Sequence, residues 1–139
     1  MTQPDDERRK RGQSGFSAQD SLRRRLLSDA EANCLPMAHV MGLILREHLA
    51  ESLTAQQDVA LRTIRSLLDD GLMEIGDILG ASDERIVPWD LSIDAVMERI
   101  YDLLVRHYEE RGLWDFTIWL GLTPAGERLA RELQGEAAD

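Results

Sequence analysis

Cysteine is close to absent from this chain, with Cys34 standing alone. An intramolecular disulfide is thereby excluded, and a reducing compartment, the cytoplasm, is the natural expectation. Histidine is scarce, at three residues. His39 and His48 are nine positions apart, so on one helix they would face opposite sides. There are no paired cysteines and no histidine pair at ligand spacing, so no metal site is expected. Long apolar runs are missing as well. The longest, Val40 to Leu45, is stopped by Arg46, far short of the ~20 residues a membrane span requires. No serine sits in a G-x-S-x-G elbow, and GLMEIGDILG lacks the lysine and spacing of a phosphate loop. The calcium-loop pattern is absent too. Cys34 has no histidine at a motif spacing and reads as a structural thiol. Neither a catalytic site nor a cofactor is expected.

What is present is an ordinary globular composition, strongly acidic overall. The 139 residues fit one domain, with 43% hydrophobic side chains to fill a core. The opening MTQPDDERRKRG has no apolar stretch behind its basic residues and does not read as a secretory signal. Charge is unevenly spread: residues 1–27 carry a net +3 and residues 28–139 a net −13, which together make the −10 of the chain. A body of that sign repels phosphate at long range. Residues 1–18 are polar and contain glycine, with Phe16 as the one large apolar side chain after Met1. They are expected to form a disordered tail ahead of a single domain at 19–139.

Periodicity places a first helix over 19–33 and a second over 37–51, with Pro36 suited to the first turn. The third shows a capping-box pattern, Thr54 followed by Gln57, with Leu61, Ile64 and Leu68 on its buried face. Gly71 is its expected left-handed stop. Alternation then suits a strand over 72–79. A loop over 80–91 follows, then a fourth helix over 93–111 capped by Ser92. The strongest strand signal is WDFTIWLGL, 114–122, whose Trp114, Phe116, Ile118, Leu120 and Leu122 would share one face. Thr123-Pro124 then opens a last helix, with threonine as N-cap and proline at its first position. The expected core comprises Leu61, Ile64, Leu68, Ile100, Leu104, Phe116, Ile118 and Leu120.

The order is three helices, strand, helix, strand, helix. ALRTIRSLLDDGLMEIGD resembles the recognition helix and first wing strand of a winged-helix domain. IWLGLTPAGERLA resembles the second wing strand running into the next helix, as in regulators of the multiple-antibiotic-resistance type. DDGLMEIGD, VPWD and IWLGLTPAGERLA together also resemble a group of small uncharacterised actinobacterial proteins. The likeness covers about 54–134. It implies a mainly α fold with a small two-stranded sheet (α+β), winged-helix-like, with antiparallel strands and a helical insertion, 80–113, between them; the strand–helix–strand order by itself also permits a right-handed parallel crossover. It implies no activity.

Two surfaces qualify for binding. The first is basic: Arg8, Arg9 and Arg11 with Lys10, then Arg23, Arg24 and Arg25, and on the third helix Arg62 and Arg65. They are the candidate nucleic-acid contacts of the alternative reading, a winged-helix DNA-binding transcriptional regulator with an arginine-rich head. Asp58 and Asp69 stand at i, i+4 from the two helix arginines and would pair with them instead. The second surface comprises Trp89 and Trp119 with the acidic loop residues Asp83 and Glu84, suited to a protein partner of basic character. Trp119 points opposite to its neighbours on the strand, and the helix at 93–111 is expected to cover it. The leading reading is an acidic, non-catalytic protein-binding module of the immunity or adaptor kind. The other acids, Glu74 among them, read as a solvated rim. A chain beginning at Gln19 is expected to melt within about 2 °C of the whole, because a tail with few buried contacts adds little stability.

Overall fold

A computed structural model describes residues 17–79 and 85–138. Helix α1, Ala18–Asp29, is capped by Ser17, whose Oγ accepts the Asp20 N–H at 3.1 Å. A truncation that spares this cap starts at Ser17 rather than Gln19. Residues 1–16, with Arg8, Arg9 and Arg11, lie outside the described residues. Leu22, Leu26 and Leu27 bury one side of α1.

Strand β1, Leu35–Pro36, leads straight into α2, Met37–Arg46. Pro36 sits at the N-cap of α2 and supplies no side-chain cap. Two of the helix's first N–H groups are satisfied from a distance: Met37 donates to the Ile118 carbonyl and Ala38 to that of Asp115, both at 2.9 Å. The helix stops five residues before the expected 51. His48 N–H reaches the Leu45 carbonyl and Leu49 N–H the Ile44 carbonyl, the paired bonds of a Schellman stop. His48 takes the left-handed position, φ 54°, that glycine usually fills.

Helix α3, Leu53–Asp69, is capped by Ser52, whose Oγ accepts the Ala55 N–H at 3.1 Å. Thr54 is thus inside the helix. Gln57, expected to complete a capping box, is buried and donates to the Leu104 carbonyl at 3.0 Å. Gly71 ends the helix as expected, at φ 69°. Its N–H bonds the Leu68 carbonyl, and Leu72 N–H bonds that of Leu67.

The sheet has four strands, ordered β1-β4-β2-β3, rather than two. Strand β2, Met73–Leu79, pairs antiparallel with β3, Arg85–Pro88, and with β4, Trp119–Leu122. The registers are Ile75 opposite Leu120 and Ile78 opposite Ile86. β1 adds to the other side of β4, Leu35 opposite Leu120. Met73, Ile75 and Leu120 turn their side chains into the core, where Ile64 of α3 is also buried.

Helix α4, Ile93–Tyr101, is capped by Ser92 as expected and runs into a π-helical turn, Asp102–Arg106. The expected helix to 111 ends there. Widening the turn leaves carbonyls without their α-helical partners, and the Gln57 amide takes the one at Leu104. α4 packs chiefly against α3 and does not lie across β4. Residues 114–117 are turns and 118 a bend, so the strand is four residues long. Local side-chain bonds hold these turns: Asp115 Oδ1 accepts the Phe116 N–H at 2.8 Å, and Thr117 Oγ1 donates to Leu113 at 2.6 Å. The carbonyls of Asp115 and Ile118 are meanwhile committed to α2. Trp114 is buried, stacked on Tyr108 at 5.2 Å. Phe116 is 61% exposed, so it does not belong to the core. Leu61 and Leu68 lie half-buried at its margin.

Thr123 caps α5, Pro124–Ala138, and α5 packs back on α1. No described helix is long and apolar enough to cross a membrane. Ile118, fully buried, and Phe116 give a paired test. Ile118→Ala should cost about 2–5 kcal/mol in urea unfolding, and Phe116→Ala less than about 0.5 kcal/mol. The reverse order would place the turn wrongly.

Candidate functional site

The arginines of α3 are engaged. Arg62 Nε lies 2.8 Å from Asp58. Arg65 meets Asp69 at 3.5 Å and, on α4, Asp94 at 2.7 Å. The Asp94 hydrogen bond is the main cause holding the Arg65 guanidinium above its ordinary pKa. Between the two arginines, Thr63 is fully buried, and Ser66 donates to the Thr63 carbonyl while accepting from Arg23. Arg23 also reaches Asp70 at 2.7 Å, and Arg25 reaches Asp29 and Glu47, each at 3.2 Å. Arg24 has an interaction of its own. Met97 and Tyr101 of α4 wall a groove of about 500 Å³ with Leu61, directly beside Arg62 and Arg65. The exposed side of α3 is therefore bordered by α4 and threaded with acids.

The tryptophans divide. Trp89 is only 9% exposed, donates to Asp77 at 3.1 Å and carries the Arg99 guanidinium over its ring at 4.0 Å. It is taken up in holding β2 to α4, which leaves little for a partner. Trp119 is half-buried and donates to the Phe116 carbonyl at 2.9 Å. It faces away from the core, on the side of the sheet that also carries Gly121 and Glu74. Asp83 and Glu84 lie outside the described residues.

That outer face holds a cavity of about 730 Å³, within the range of small-molecule sites. Its floor is Glu74 on β2 and Gly121 on β4, which are direct cross-strand partners. Gly121 sets no side chain beside the Glu74 carboxylate. The hairpin of β2 and β3 curls over the same face. A Cβ on Gly76 would stand 2.0 Å from the Val87 carbonyl oxygen, and one on Gly121 would stand 2.8 Å from Ile86. The loop after α1, with Asn33 and Cys34, forms one wall, and Glu127 in the first turn of α5 forms another. Arg85 stands at the mouth, on β3.

Glu74, Glu127 and Arg85 make no side-chain hydrogen bond or ion pair with any described residue. Burial alone pushes the Glu74 carboxyl above its ordinary pKa. No described group of three or more metal-ligating side chains comes together. Sequence reasoning placed Glu74 in a solvated rim and missed the cavity. Its one local signal was a glutamate on an apolar strand whose later partner strand carries glycine. No family model matches the chain, and no curated protein or solved structure is similar to it at a significant level.

Glu74 leaves a signature in stability. Its folded-state pKa is raised, so the folded protein binds the proton more tightly than the unfolded chain. The benefit of the neutral form is complete below the unfolded value and is lost as pH rises through the folded one. Glu74→Gln should therefore be more stable than the parent at neutral pH. The gap should close as pH falls to the bottom of the ordinary carboxylate range. Urea midpoints measured across that range check it; a pH-independent gap would contradict burial as the cause.

Proposed function

We propose that this chain is a non-catalytic protein-binding module with a winged-helix-like fold, acting in the cytoplasm on a partner of basic character. The fold reading is supported by the order of elements. A helix, a short strand and two more helices precede β2, and β4 lies between β1 and β2. The insertion between β2 and β4 now comprises β3 and α4. In this reading α3 is the helix that a DNA-binding relative would present to the major groove.

One observation carries the choice of partner: Arg62 and Arg65 are held by Asp58, Asp69 and Asp94, beside α4. Phosphate would have to displace three carboxylates from a body of net charge −13. Exposed ion pairs of this kind are individually weak, so local acid density, rather than any one pair, opposes the approach. The same charge attracts a basic protein and speeds its association. A partner-binding role would fall to the outer face of the sheet, where Trp119 and the cavity lie.

Titration of the full chain with random duplex and with fragments of its native locus tests this. At physiological salt no sequence-selective binding below micromolar concentration is expected. Any retardation should disappear when Arg8, Arg9 and Arg11 are replaced by alanine, and should fade steeply with salt, because each phosphate contact releases about one counterion. Arg62→Ala and Arg65→Ala should change nothing. Sub-micromolar selective binding lost on either substitution would overturn the reading and establish a transcriptional regulator in its place.

A further inference from the structure

The cavity on the outer face of the sheet has a chemistry of its own, whichever macromolecule the module meets. Its floor presents Glu74, its wall presents Glu127 from another element, and its mouth presents Arg85. In a chain where so many arginines are tied to acids, these three have no ionic partner among the described residues. Glu74 is the informative one. A carboxylate partly removed from water and given no counter-charge costs more stability than a neutral glutamine would there. Groups that weaken the fold without an internal partner are typical of binding sites. Gly121, the cross-strand partner of Glu74, has no side chain, and Ile86 of β3 packs into the room this leaves, closing the cavity from above. It is roofed by the hairpin that curls at Gly76.

We propose that the cavity binds an amino-acid-like zwitterion whose side chain ends in a guanidinium or ammonium group, with Glu74 and Glu127 taking the cationic end and Arg85 the carboxylate. Two carboxylates from different walls suit the several N–H donors of a guanidinium. A metal ion fits less well, since no third ligating side chain joins them. A phosphate or nucleotide would face two carboxylates against a single arginine. The volume admits one extended basic amino acid, either free or as the C-terminal residue of a chain.

Calorimetric titration of the full-length protein tests this with four probes. These are L-arginine, agmatine, which lacks the carboxylate, and one short peptide ending in arginine with either a free or an amidated terminus. L-Arginine should bind saturably. Glu74→Gln should weaken it at least tenfold while its melting temperature stays equal or higher, so the loss cannot be unfolding. Glu127→Gln should also weaken it. Arg85→Gln should weaken L-arginine more than agmatine. Glu132→Gln, on α5 outside the cavity, should leave binding unchanged and so separates the site from general attraction to an acidic surface. Tighter binding of the free-terminus peptide than of L-arginine would assign the ligand to a chain end, and the reverse to the free amino acid; either upholds the site. Absence of saturable binding by L-arginine and the free-terminus peptide, or equal binding by parent and Glu74→Gln, would overturn it. Because none of these probes is nucleic acid or a folded partner, failure here leaves the protein-binding reading standing, and failure there leaves this site standing.

Discussion

The backbone carbonyl of Leu72 is the joint on which the architecture turns. It accepts the Thr123 N–H at 3.0 Å, while the Thr123 hydroxyl donates to the neighbouring Gly71 carbonyl at 2.6 Å. Four elements meet there: α3 has just ended, β2 is about to begin, β4 has just ended and α5 is starting. The approach is close enough that a Cβ on Gly126 would stand 2.0 Å from the Leu72 oxygen, so only glycine fits without moving backbone. With this joint made, β2 and β4 are held in antiparallel register although 39 residues separate Leu79 from Trp119. α5 is then aimed back across α1. The chain between the two strands forms β3 and α4.

That insertion gives the molecule two unequal faces. On the inner side, Val96, Ile100 and Leu104 belong to the buried core, so α4 is an integral layer rather than a detachable cover. It brings Asp94 to Arg65 and an apolar wall to Leu61. On the outer side, β3 curls over the sheet and converts a flat surface into a cavity. The glycines that allow this, Gly76 and Gly121, are costly in a strand unless something needs the space they leave. Occupation of the α3 side and opening of the sheet side are two results of one insertion. Both direct the functional reading away from the helix and toward the sheet.

The electrostatics follow the same division. Near α3, Asp58, Asp69, Asp70 and Asp94 each have a basic partner close by, and the ion pairs add little to stability because they are exposed to water. In the cavity, fewer charges carry more consequence, since partial burial makes a lone carboxylate costly. The negative total of the chain thus conceals a mostly compensated helix face and an uncompensated pocket.

Features encoded within a few neighbouring residues are legible in the sequence. Gly71 as a left-handed stop, Ser92 and Thr123 as caps, and Pro124 in a first turn each depend on bonds that close within about six residues. Pairing of β2 with β4 was expected from resemblance and is present. What the tertiary structure alone decided depends on backbone groups from distant parts of the chain. α2 is capped by carbonyls some eighty residues away in sequence, at Asp115 and Ile118. At 114–118 the chain turns where alternation suggested a strand, and Phe116 faces water. A two-residue β1 and a four-residue β3 carry too little pattern to be seen alone. His48 ends α2 in a conformation usually reserved for glycine, and nothing in its identity announces that. The cavity draws its lining from the loop after α1, three strands and α5. Side chains that meet only after the sheet has curled share no spacing in the sequence, so Glu74, Arg85 and Glu127 could be recognised together only once the chain had folded.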